Sequence, residues 1–106
     1  MAVPEKQGIY LFVSFDWPRP VKDEHQAAAL KLHAVVQESR WVREVLAASG
    51  GLGQGSASVW VFRVPNYAAL DRLLRDSSEP VCKAYTAFFS KMVAVTETVR
   101  EEVVLP

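Results

Sequence analysis

The chain has a single cysteine, Cys82, so an intramolecular disulfide is excluded and the usage fits a reducing compartment. It has no surplus charge of either sign: twelve Lys and Arg stand against twelve Asp and Glu. No basic stripe marks a nucleic-acid or anionic-membrane partner. No apolar run approaches the roughly 20 residues that span a bilayer. The start, Met1–Gly8, lacks the apolar core of a signal peptide, and Glu5 and Lys6 interrupt it. These absences set the expectation of a cytoplasmic protein that binds neither nucleic acid nor membrane. Four of the five glycines fall at 50, 51, 53 and 55. They match neither a Walker loop nor Gly-x-Gly-x-x-Gly, so no phosphate-binding loop is read there. The two histidines, His25 and His33, are eight residues apart on one predicted helix. That spacing separates them by about 80° and about 12 Å, so they cannot share a metal.

What is present is apolar mass. Half of the 106 residues are hydrophobic, enough for one domain with a sizeable core. The organising stretch is Ser58–Arg75. Its β-branched and aromatic first half is stopped by Pro65, and Asn66 then opens an amphipathic helix with Ala69, Leu70, Leu73 and Leu74 inward.

Earlier in the chain, Ile9–Phe15 reads as a strand after a polar lead-in. Ile9, Leu11, Val13 and Phe15 lie on one face, Tyr10, Phe12 and Ser14 on the other. Asp16-Trp-Pro-Arg-Pro20 breaks it. A helix over about Glu24–Ser39 follows, with Asp23 as its N-cap and Ala28, Ala29, Leu32, Val35 and Val36 as its apolar stripe. Trp41–Ala47 fits either a helix or a strand by spacing, and the Gly-rich return after it favours a strand. Ser78 is the expected cap of a further helix that places Val81, Ala84, Tyr85, Phe88 and Met92 on one stripe. Val93–Val99 alternates as a last strand.

The order is β–α–β–β–α–β, an α+β ferredoxin-like domain of four antiparallel strands spanning residues 1–106, its second helix interrupted at Asp76–Pro80. Both helices would cover one sheet face, while several strands are apolar on both alternations. Burying the second face against another copy is the expected remedy.

On that element order, on Trp41–Gly55, on Val59–Arg75 and on Phe88-Phe-Ser-Lys-Met92 running straight into Val93-Ala-Val-Thr-Glu97, the chain resembles the dimeric α+β barrel superfamily. The resemblance implies a homodimer pressed sheet to sheet, cytoplasmic and without a cofactor. It also implies binding or transformation of a small apolar organic molecule without a metal, as in cofactor-free monooxygenases or isomerases. The alternative is a non-catalytic binding or regulatory module, since members of one fold serve many roles.

The candidate catalytic residues are His25, Tyr10 and Asp16; the candidate ligand-binding residues are Ser14, Trp60, Arg63 and Tyr85. His25 lies near the mouth of a strand-to-helix loop, where a ligand or proton-transfer role competes with a plain capping role. Tyr10, Ser14 and Asp16 would be the polar handles of a pocket, or Tyr10 would only pack. Arg63, mid-strand among apolar neighbours, either binds a substrate carboxylate or pairs with Glu97 or with a partner subunit. Glu44 and Glu97 are candidate bases or solvated strand-edge groups, and His33 is read as a solvated edge. The three tryptophans either line a pocket or supply core mass. No proximal histidine with a supporting partner is found for haem.

Overall fold

The computed structural model describes residues 7–105; most of the predicted lead-in, up to residue 6, lies outside them. Seven elements follow in order: β1 (Ile9–Asp16), α1 (Asp23–Glu38), β2 (Arg43–Ser49), β3 (Ser58–Val64), α2 (Tyr67–Arg75), α3 (Pro80–Phe89) and β4 (Val93–Glu101). The strands form one antiparallel sheet in the order β2-β3-β1-β4. This is a small α+β domain compatible with the ferredoxin-like arrangement, and the uncertain segment after α1 is a strand.

Register sorts the side chains. Ile9, Leu11, Val13 and Phe15 stand opposite Val64, Phe62, Trp60 and Ser58, and this face carries the helices. Tyr10, Phe12 and Ser14 stand opposite Arg63, Val61 and Val59 on the uncovered face. Leu32 and Val36 of α1, Leu70 and Leu73 of α2, and Val81, Tyr85 and Phe88 of α3 complete the core. Phe15, Trp60, Phe88 and Phe89 meet edge to face at centroid distances of 5.3–6.2 Å, a geometry that adds to area burial. Among the described residues no helix is long and apolar enough to cross a membrane.

Several expectations need correction. The α1 N-cap is Lys22 and not Asp23. Glu79 and not Ser78 caps α3, with Pro80 in the first turn, while Ser78 is held by the Asp76 carboxylate at 2.6 Å. The plain alternation of β4 is broken by a bulge: Ser14 pairs with Thr96 but Asp16 pairs with Val93, and Ala94 sits at φ 54°. One extra residue reverses the faces, so Val93 lies on the opposite side from Glu97 and Val99. A second bulge in β2, between Glu44 and Leu46, turns Glu44 toward the helices and Leu46 away from them.

Candidate functional site

Two clefts flank α1, one at each end of the sheet. The first lies beside the start of α1, where β1 ends and the β2–β3 loop begins. Phe15, Trp17, Ala29, Ala47 and Trp60 wall a mostly apolar space of about 260 Å³. Ser49 and Ser58 also line it, their hydroxyls bonded to each other at 2.8 Å. Both serines are shared with a larger adjoining cleft of about 750 Å³ that includes Asp16, Trp17 and Arg19. One Asp16 oxygen accepts the Ala57 backbone N–H at 2.9 Å, so this carboxylate anchors the loop at the cleft mouth. Residue type explains the location. Alanines at 29 and 47 leave space that larger side chains would fill.

The second cleft, about 380 Å³, lies where α1 ends and β2 begins. Gln37, Arg40, Trp41, Arg43, Glu44 and Arg63 are among its walls. Ser39 closes the α1–β2 turn by accepting the Trp41 and Val42 N–H groups, each at 3.3 Å. Arg72 of α2 stacks on the Trp41 ring at 4.3 Å and pairs with Glu79 at 2.7 Å.

Between the clefts stands Glu44. Its Oε1 accepts the Trp60 indole N–H at 2.6 Å, and its Oε2 lies 2.8 Å from His33 Nδ1. Gln37 Nε2 adds a longer contact at 3.4 Å. An ionised carboxylate only accepts, so Nδ1 of His33 carries a proton and the other ring nitrogen is left to solvent. The Glu44 side chain is only 15 % exposed, which makes these donors necessary. From the sequence alone Glu44 is a candidate base or a solvated strand-edge group, and His33 a solvated edge. The available signal was that His33 and Gln37, one turn apart, form a polar strip beside the apolar stripe of α1. The β2 bulge that brings Glu44 under that strip leaves no mark in residue type.

The seven predicted site residues do not converge. Tyr10 and Ser14 of β1 and Arg63 of β3 lie on the uncovered face and Asp16 at the end of β1, whereas Trp60 of β3 and Tyr85 of α3 lie in the core between sheet and helices. His25 is buried in the first turn of α1, where Nδ1 accepts the Lys22 backbone N–H at 2.9 Å, in the manner of a capping box. Tyr85 donates to Glu97; burial, reinforced by that hydrogen bond, pushes its phenol far above the ordinary range. The expected Arg63–Glu97 pair does not form, because Glu97 stands opposite Val13 on the helix side. Arg63 instead bonds Glu102 at 3.0 Å and lies over the Tyr10 ring at 6.0 Å. The Gly8 N–H at 2.9 Å and the Arg63 guanidinium hold the Glu102 carboxyl below the usual carboxylate range. Among the described residues no three His, Cys, Asp or Glu side chains are grouped to hold a metal ion.

No protein-family model matches the chain, and no curated protein matches it either.

Proposed function

We propose that this protein is a homodimeric α+β barrel, two protomers pressed sheet to sheet, each binding a small apolar organic molecule beside the start of α1. The reading rests on the first cleft. An apolar space of about 260 Å³ walled by two tryptophans, Phe15 and three alanines continues into a polar mouth holding Asp16, Ser49 and Ser58. Pockets for organic ligands have this composition, apolar walls and a few fixed polar groups. The volume suits a molecule of few heavy atoms. Transformation without a metal would draw on the hydroxyls and Asp16, in the manner of a cofactor-free monooxygenase or isomerase.

Native mass spectrometry of the purified protein, followed by tryptophan-fluorescence titration with small aromatic and terpenoid probes, tests the reading. Saturable quenching that Ala47→Phe abolishes, in a chain that still folds, is the expected result. Absence of any saturable binding across the panel removes it.

A non-catalytic binding or regulatory module is the second reading. It is favoured by the scatter of Tyr10, Asp16 and His25 and by the engagement of His25 in capping α1. A bound molecule recovered chemically unchanged after prolonged incubation with air supports the module; a new product supports the enzyme.

A further inference from the structure

The second cleft opens at the edge strand β2, outside the ligand site of that reading and at the margin of the sheet face it pairs, and its charge needs an explanation of its own. Arg40, Arg43 and Arg63 all line a space of about 380 Å³. Arg43 and Arg63 are direct register partners across β2 and β3, on the uncovered face. Like charges placed opposite each other on neighbouring strands repel. Glu102 relieves one of them, bonding Arg63 at 3.0 Å, and Arg43 acts on that carboxyl only as a lesser charge. Among the described residues neither Arg40 nor Arg43 forms an ion pair. Glu44, the acid of the cleft wall, is already engaged by Trp60 and His33.

Geometry adds to charge. Val42 beneath the cleft is buried and fixes the chain between the two exposed arginines. The Trp41 ring, stacked on Arg72, forms an apolar wall beside them. Gln37 supplies a further polar group. Guanidinium forks match the spacing of oxyanions, and an adjoining indole suits the carbon skeleton carrying one.

We propose that this cleft binds the oxyanion of a small organic acid, a carboxylate or phosphate held between Arg40, Arg43 and Arg63 with Trp41 against its carbon frame. Binding removes the Arg43–Arg63 repulsion and leaves the Arg63–Glu102 pair in place.

The test is two-dimensional NMR of the full chain titrated separately with benzoate and with inorganic phosphate at constant ionic strength. Saturable shifts of the Trp41 indole N–H and the Arg43 amide are expected. Arg43→Gln and Arg40→Gln each weaken binding about tenfold or more, since each removes a charge-assisted hydrogen bond. Arg100→Gln, an exposed arginine elsewhere on the sheet, leaves it unchanged. Saturation by benzoate alone assigns a carboxylate, by phosphate alone a phosphate, and by both the shared oxyanion. Shifts that do not saturate, or that Arg100→Gln weakens equally, overturn the site.

Discussion

Glu44 shows how much one carboxylate can organise. It joins an edge strand, a central strand and α1 through Trp60, His33 and Gln37. Removing either member of the Trp60–Glu44 pair leaves the other with an unmet hydrogen bond in a largely buried place. Trp60→Phe and Glu44→Leu are each expected to cost about 1–3 kcal/mol in urea unfolding. The double variant should cost less than the sum, because the two share one bond. Additivity would show that the bond contributes nothing. Tyr85 makes a separate prediction, one of pH. Its phenol titrates far higher folded than in the unfolded chain, where it ionises near pH 10. A raised folded value gives stability that is complete below about pH 10 and declines as pH rises beyond it. Tyr85→Phe lacks this decline. Its deficit relative to the parent, measured by denaturant titration at pH 8 and pH 11, should therefore shrink at the higher pH. A constant deficit refutes the assignment.

At the scale of elements, the ends of the sheet are fastened by polar contacts. Gly8 and Glu102 exchange two hydrogen bonds, backbone to backbone and backbone to carboxylate, each 2.9 Å, and Arg63 closes the third side. The Glu102 carboxyl is held below its ordinary range, so this fastening is present above about pH 4.5 and is lost as pH falls through the depressed folded value. Hydrogen exchange at the Gly8 and Glu102 amides should accelerate, relative to mid-strand amides of β1, as pH is lowered from 6 to 3. Glu102→Gln should show the faster relative exchange already at pH 6. Equal relative protection in the two proteins removes the clasp. Gly8→Ala reaches the same place from the other side, because a Cβ there would collide with the Arg63 guanidinium. These contacts also mark where sequence reading stopped. Strands rich in β-branched and aromatic residues, such as Ser58–Val64, and helices with clear stripes, such as α1, are local patterns and were legible. Bulges are not. The extra residue in β4 sends Val93 to the opposite face, and the extra residue in β2 brings Glu44 under α1. Arg63 was expected to find Glu97, but strand parity puts Glu97 on the helix side and leaves Glu102, beyond the strand end, as the partner. The aromatic cluster was legible as mass and not as a site, since the same residue types serve both.

Seen whole, the molecule has two layers, helices over one sheet face, and its shortest dimension is 19 Å. The uncovered face runs through Phe12, Val59 and Leu46, which surround a buried Val61; Phe12 is 37 % and Leu46 50 % exposed. A central strand apolar on both faces is costly when one face meets water, and contiguous apolar patches mark association surfaces. A second copy laid on this face would convert two half-exposed layers into a four-layer particle. Homodimer interfaces of this kind bury on the order of 1,200–2,000 Å² or more, within the reach of a four-stranded sheet. Phe12 is the residue to change, because it stands mid-strand between Val61 and Thr98 and contributes nothing to the helix-side core. In the proposed dimer, Phe12→Lys places two ammonium groups in the seam without touching the helix-side core. Sedimentation equilibrium should then give the monomer mass with an unchanged far-ultraviolet dichroism spectrum. Leu30→Lys, on the exposed side of α1 at 69 % exposure, should leave the dimer mass unaltered. A parent chain that sediments as a monomer, or a Phe12→Lys variant that keeps the dimer mass, places the interface elsewhere. The apolar face would then call for a different partner, while the cleft beside the start of α1, built within one protomer, would stand as it is.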